Sequence, residues 1–112
     1  MTRVVIIGEC MIERRRGGAE AIAGDAFNVA AHLKHASPEL EVVFASVTGD
    51  DDESQRMRAA WRRFGIDGAA SPTIRGGRIG AYWVETDPAG ERRFDYDRAS
   101  SAARRWYEHL SP

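Results

Sequence analysis

The sequence has 112 residues, which is enough for one domain or for part of one. Its 43% of hydrophobic and 29% of charged residues are typical of a globular protein and argue against an intrinsically disordered chain. A net charge of -1, the absence of a membrane-length apolar run and a single cysteine, Cys10, predict a cytoplasmic protein without nucleic acid, membrane or disulfide partners.

The first half of the chain reads as strands alternating with helices. Residues 3–8 form a continuous apolar run that ends in glycine, which predicts a strand buried on both faces. Residues 10–23 indicate a loop or a short edge hairpin. Residues 24–36 predict a first helix, because apolar side chains recur at helical spacing. Residues 41–48 predict a second buried strand, and residues 50–64 a second helix with an acidic first turn.

In the second half, residues 69–74 indicate a short third strand and residues 100–110 a third helix, with a β-hairpin between them. The β-α-β-α order predicts a parallel α/β sheet. The helices available cannot cover both faces of such a sheet, and the chain stops where its next strand is expected. We therefore expect the first part of a larger domain.

The hairpin has a register that the sequence defines. Asp87-Pro88-Ala89-Gly90 has the residues of a type I turn, and a left-handed Gly90 closes a G1 bulge. Side chains alternate along a strand, so counting back from this turn gives three facing pairs on one side of the hairpin. They are Val84 with Phe94, Tyr82 with Tyr96, and Gly80 with Arg98.

This face presents two phenols and a guanidinium, and Gly80 leaves room for the Arg98 side chain. It suits a small polyhydroxylated acid. Aromatic cross-strand pairs also stabilise hairpins by about 0.2–1 kcal/mol each, and Arg98 has the alternative of being an ordinary surface cation. The hairpin by itself therefore does not decide between a binding site and a structural element.

Polar residues also gather at the start of the first helix. Asp25 and Asn28 lie on one side of its first turn, and Gly24 permits close approach to the free helix N–H groups. Spacing alone favours Asp25 as a helix N-cap over a ligand to hydroxyl groups. Glu9 follows the first strand, where ligands gather in open α/β sheets, but it reads more simply as a solvated loop carboxylate.

Several other site classes have no support. Neither G-x-G-x-x-G nor G-x-x-x-x-G-K-[ST] occurs, so a dinucleotide fold or P-loop is not predicted. The acidic residues 50–53 are explained by the helix dipole rather than by a metal ion. The histidines show no metal-ligand spacing, and the arginine run 14–16 is too short to predict nucleic-acid binding.

Four stretches together resemble the N-terminal third of the ribokinase-like (PfkB) sugar kinases, and most closely their 2-keto-3-deoxygluconate kinase subgroup. They are V-V-I-I-G-E-C-M, G-D-A-F-N-V-A, V-T-G-D-D-D-E-S and Y-W-V-E-T-D-P-A-G-E-R-R-F-D-Y-D-R-A-S-S-A-A-R. The G-E-C-M opening and the final Y-x-R-x-x-S-A-A-R point to this subgroup. The resemblance covers nearly the whole chain.

The resemblance implies the N-terminal part of an α/β sandwich, with a β-lid formed by residues 10–23 and 79–97. The family reaction transfers the ATP γ-phosphate, with Mg²⁺, to a primary hydroxyl of the sugar acid. The implied roles are carboxylate binding by arginine, hydroxyl binding by the helix start, and contact of the tyrosines with the sugar chain and its carbonyl end. The implied substrate-binding residues are Gly24, Asp25, Asn28, Tyr82, Tyr96 and Arg98.

Two departures from the family pattern limit what can be transferred. Ala23 replaces the first glycine of a common Gly-Gly-Asp segment, although Gly24 remains. The G-A-G-D motif with the catalytic base, and the ATP pocket, lie in a C-terminal part that this chain lacks, so we assign no catalytic residue and no metal site. We expect the isolated chain to be inactive.

Two alternatives stay open beside the sugar-acid kinase. One is a non-catalytic sugar-binding or lid-pairing module, since family lids often pair across a homo-oligomer and an exposed sheet edge favours pairing. The other is a PfkB kinase for a neutral sugar such as fructose.

Overall fold

The computed structural model describes residues 2–109. Within this range the chain forms short strands, two α-helices and a C-terminal 3₁₀ segment. The strands are β1 (Arg3–Ile7), β2 (Met11–Arg15), β3 (Glu20–Ala23), β4 (Glu41–Ala45), β5 (Thr48–Gly49), β6 (Thr73–Ile74), β7 (Gly80–Thr86) and β8 (Arg92–Asp97). The helices are α1 (Asp25–Ala36) and α2 (Asp52–Arg63), and the 3₁₀ segment is Ala102–His109.

The α/β core consists of the parallel pair β1–β4 and the two helices. Phe27 and Ala30 of α1 are buried, as are Met57 and Trp61 of α2. The Trp61 ring packs against Phe44 of β4 with ring centroids 5.0 Å apart. Burial of this apolar and aromatic surface is the main stabilising contribution to the core. The predicted α/β class is confirmed.

The prediction that β1 is buried on both faces is wrong. Val4 and Ile6 are half-buried, whereas Val5 is 51% and Ile7 62% exposed. The reason is that α1 packs on one face of the β1–β4 pair, and no helix among residues 2–109 covers the other. Part of the continuous apolar run therefore lies on a sheet face that no helix covers among the described residues.

The predicted third strand is also different. It is reduced to Thr73–Ile74, which pairs with Thr48–Gly49 in a separate small parallel sheet. The Ser71 hydroxyl donates to the Phe44 carbonyl at 2.6 Å and accepts from the Ser46 N–H at 2.9 Å. A side chain therefore occupies hydrogen-bonding positions beside β4 that the backbone of a third strand would use.

A second, four-stranded sheet has the order β3-β2-β7-β8. Its centre is the parallel pair β2–β7, and the two flanking pairs are antiparallel. Residues 10–23 thus form a hairpin, which is one of the two structures predicted for them. The sheet joins the two segments assigned to a lid, and the lid role itself stays a prediction.

This sheet is attached to the core through α2. Ile12 is buried, and Nη2 of Arg14 donates to both carboxylate oxygens of Glu53 in α2, at 2.7 and 2.8 Å. Beyond β8 the predicted third helix is a 3₁₀ segment with a non-helical Arg105, and residue 110 lies outside the described residues. None of the described helices is long and apolar enough to cross a membrane.

Candidate functional site

All the candidate binding residues predicted from the sequence line one cleft. The cleft has a volume of about 520 Å³ and lies between the start of α1 and one face of the four-stranded sheet. Its lining includes Gly24, Asp25, Asn28, Tyr82, Tyr96 and Arg98. Glu9, Met11, Ala26 and Phe94 complete it. Segments far apart in the sequence therefore meet at one concave surface, which is the usual form of a small-molecule site.

The start of α1 is shaped by Gly24. This residue has φ 112° and ψ 141°, in the region that favours glycine, and a Cβ there would lie 2.7 Å from the Glu9 carbonyl oxygen. Gly24 itself occupies the N-cap position, and no side chain caps the helix. The interpretation of Asp25 as the N-cap is therefore wrong. Asp25 and Asn28 are both exposed, with polar atoms available to a ligand.

The predicted hairpin register is confirmed. Tyr82 pairs with Tyr96 and Val84 with Phe94. Gly90 has φ 85° and donates to the Asp87 carbonyl at 2.9 Å, as a type I turn with a G1 bulge requires. At the other end of the hairpin, a Cβ added to Gly80 would lie 3.2 Å from the Arg98 Cβ, so glycine provides the space that Arg98 occupies.

Aromatic rings hold the guanidinium of Arg98 in place. The centroids of Tyr82 and Tyr96 are 5.6 Å apart, and Phe94 packs against both rings. The Arg98 guanidinium carbon lies 4.6 Å from the centroid of the Tyr96 ring. Such a cation–π contact restrains the side chain and uses none of its N–H groups, which stay available as hydrogen-bond donors.

Tyr82 has one role in hydrogen bonding that the sequence did not show. Its hydroxyl donates to Oε1 of Glu13 at 3.0 Å. Burial, and next the bond to Glu13, raise the pKa of Tyr82 to about 12, so its hydroxyl keeps its proton at neutral pH. The hydroxyl proton is already donated to Glu13. The phenol oxygen can therefore accept a hydrogen bond from a ligand hydroxyl, but it has no proton to donate to a ligand carbonyl.

Glu9 belongs to the cleft, and the interpretation as a solvated loop carboxylate is wrong. Its Oε2 accepts from the hydroxyl of the buried Ser101 at 3.2 Å, and its Oε1 lies 3.8 Å from Nη1 of Arg98. Its side chain is 22% exposed. The signal that identifies it is its place two residues after β1, at the strand end where ligands gather in α/β sheets.

Neither a metal centre nor a cysteine nucleophile is supported near the cleft. Among the side chains that the structure describes, no three of His, Cys, Asp or Glu are grouped to hold a metal ion. Within the acidic run, Asp51 caps α2 by accepting from the Ser54 N–H at 3.1 Å. Burial raises the pKa of Cys10 to about 12, so its thiol is protonated and unreactive at neutral pH.

A sequence profile of the pfkB family carbohydrate kinases matches residues 1–111. The 2-dehydro-3-deoxygluconokinase of Dickeya dadantii is 36% identical over 110 residues, which is 94% of this chain and 36% of that protein. The enzyme of the same name from Escherichia coli K12 is 34% identical over 111 residues. The chain thus spans little more than a third of the length of these relatives.

Solved structures give the same family. The 2-dehydro-3-deoxygluconokinase of Thermotoga maritima superposes with a TM-score of 0.76 at 27% identity, over 92% of this chain and 34% of that one. Fructokinase from Xylella fastidiosa with bound ATP superposes with a TM-score of 0.79 at 19% identity, over 90% and 32% respectively. At that lower identity the likeness concerns the fold alone.

Proposed function

This chain belongs to the pfkB family of carbohydrate kinases, and we propose from that membership that it forms the sugar-binding part of a 2-keto-3-deoxygluconate kinase. The reaction is the ATP-dependent phosphorylation of the sugar acid to its 6-phosphate. The relatives named 2-dehydro-3-deoxygluconokinase support this substrate class. The observation that carries the proposal is the single cleft in which a guanidinium, two phenols and the polar start of α1 meet.

Each cleft residue has a chemical role in this proposal. Arg98 binds the substrate carboxylate through a bidentate pair of charge-assisted hydrogen bonds. Asp25 and Asn28 bind hydroxyl groups, and Gly24 lets the sugar approach the backbone at the start of α1. Tyr82 accepts a hydrogen bond from a further hydroxyl, and the Tyr96 ring restrains Arg98 through the cation–π contact.

No residue among 2–109 is proposed to bind the phosphoryl donor or to act as a catalytic group. We propose ATP as the donor, a choice supported by the ATP-bound fructokinase of similar fold. The described residues offer no metal cluster, so no step of the reaction is assigned to Mg²⁺ within them. We expect the 112-residue chain alone to catalyse no phosphotransfer, and formation of the 6-phosphate by the purified chain would contradict this.

We also propose a cytoplasmic location, where a lone thiol such as Cys10 stays reduced.

We further propose a homo-oligomer that forms through the four-stranded sheet. β8 is an edge strand of that sheet, and every one of its residues is exposed. Phe94 and Tyr96 on this strand add exposed aromatic surface. An unpaired edge with exposed aromatic rings favours pairing with another chain. The same feature supports the second candidate function, a non-catalytic lid-pairing module.

The substitution Arg98→Ala separates a sugar-acid site from a site for a neutral sugar such as fructose. A charge-assisted bidentate contact contributes about 1.5–3 kcal/mol, so its loss weakens binding of 2-keto-3-deoxygluconate about 10-fold to 150-fold. Fructose binding should not change.

The matched control is Arg93→Ala, which removes an exposed arginine from the opposite face of the same hairpin. Titration calorimetry measures both ligands on both variants. Equal affinity of the parent chain and Arg98→Ala for the acid would refute the carboxylate role and favour the neutral sugar.

A further inference from the structure

The charges that line the cleft are unequal. Glu9 and Asp25 contribute two carboxylates, and Arg98 contributes the one cation that the described lining holds. The next arginine on the same face of the sheet is Arg15, whose Nη2 lies 2.8 Å from Oε2 of Glu13. Its charge is therefore already paired, and the cleft keeps an excess of negative charge.

Glu9 is held beside the cation by a second contact. The Ser101 hydroxyl donates to its Oε2 at 3.2 Å, and Ser101 is fully buried. Its other oxygen, Oε1, lies 3.8 Å from Nη1 of Arg98. Glu9 thus occupies one side of the guanidinium, and a bidentate carboxylate of a ligand would use the remaining N–H edge.

We propose that Glu9 is a specificity-determining residue that restricts this cleft to ligands with a single carboxylate. The inference rests on the proposed function, because it assumes that Arg98 binds the ligand carboxylate. A second anionic group on the ligand would meet two carboxylates and no unpaired cation among the described lining residues. Repulsion between like charges a few ångströms apart weakens binding by a factor of several even in a largely solvated site.

The substitution Glu9→Gln tests the proposal. Glutamine keeps an oxygen that accepts from Ser101, so it removes the charge with little change in shape. The probes are 2-keto-3-deoxygluconate, which has one carboxylate, and glucarate, which has two on a chain of similar length. We expect the parent chain to prefer the monoanion, and we expect Glu9→Gln to reduce that preference by at least about threefold, mainly by tighter glucarate binding.

The control variant is Glu39→Gln, which removes an exposed carboxylate outside the cleft and leaves the total charge equal to that of Glu9→Gln. It should leave the preference unchanged. A second measurement needs no variant: raising the ionic strength screens the repulsion, so the parent chain's preference for the monoanion should fall. The proposal is overturned if neither change alters the preference for the monoanion. The parent chain at high salt and Glu9→Gln would then both show the same preference as the parent chain at low salt.

The two proposals fail in different ways. Suppose that the parent chain binds the monoanion and that Arg98→Ala weakens this binding. An unchanged preference for the monoanion in Glu9→Gln would then refute only the role of Glu9. If the folded parent chain binds neither acid, the proposed function is wrong and this inference falls with it.

Discussion

Gly80 allows a direct test of how tightly the cleft is built, through the substitution Gly80→Ala. A Cβ at this position would lie 3.2 Å from the Arg98 Cβ, 3.2 Å from Oε2 of Glu9 and 3.4 Å from the Ser101 Cβ. The first two distances are shorter than ordinary van der Waals contacts. The backbone of Gly80 is not in the left-handed region, so the effect of alanine comes from crowding and not from strain.

The size of the effect follows from two opposing contributions. Crowding of a packed site costs about 1–3 kcal/mol, whereas replacing glycine by alanine stabilises the folded chain by about 0.4–1 kcal/mol through the unfolded state. The net loss in the free energy of unfolding is then about 0–2.5 kcal/mol. We expect the alanine Cβ to displace Arg98 so that one of its two hydrogen bonds to the ligand carboxylate is lost. Affinity for 2-keto-3-deoxygluconate should then fall about 4-fold to 12-fold, which corresponds to half of the ~1.5–3 kcal/mol assigned to the bidentate contact.

Chemical denaturation measures the stability and titration calorimetry the affinity. Gly90→Ala is the matched control, because Gly90 has φ 85° with open space around it at the far end of the same hairpin. That variant should lose about 1 kcal/mol of stability and no affinity. If a folded Gly80→Ala chain binds the acid as tightly as its parent, the proposed position of Arg98 in the site is refuted.

Three further predictions concern stability, ionisation and self-association. Asp51→Ala should lower the free energy of unfolding by about 1–2 kcal/mol in a denaturation experiment, because it removes the cap of α2, and a loss no larger than that of Asp52→Ala would contradict this. Glu13→Gln should bring the pKa of Tyr82 from about 12 toward 10, as NMR of labelled tyrosine would measure. The folded-state pKa is raised, so the stabilising contribution of Tyr82 is complete below about pH 10 and is lost as the pH rises toward 12. Ile7→Lys should reduce aggregation, measured by light scattering, with little change in stability, since the Ile7 side chain is 62% exposed. Unchanged aggregation would show that the chains do not associate through the exposed face of β1.

Local signals made much of the fold and half of the cleft predictable. The turn at residues 87–90 is specified by Asp, Pro and Gly at fixed positions, and it sets which side chains face each other for the length of the hairpin. The register of Tyr82 with Tyr96 therefore followed from the sequence. The resemblance to a known family then linked this face with the start of α1, although the two are more than fifty residues apart.

Features that depend on distant contacts were not predictable in the same way. Glu9 and Ser101 are 92 positions apart, and only the folded chain shows that they are bonded. The exposed face of β1 has the same cause, because an apolar run shows that a strand is suited to burial but not which elements cover it. The interpretation of Asp25 as the N-cap was wrong because Gly24 occupies the N-cap position. Residue type and spacing alone do not exclude a glycine at that position.

The most direct test of the central claim is titration calorimetry of the purified chain with 2-keto-3-deoxygluconate, with gluconate and fructose as comparisons and circular dichroism as the check of folding. The claim is that this chain contains a formed sugar-acid site. We predict saturable heat with the keto-deoxy acid and weaker heat with the two comparison ligands. Absence of heat from a folded chain, or equal binding of fructose, would contradict the roles given to Asp25, Asn28 and Arg98.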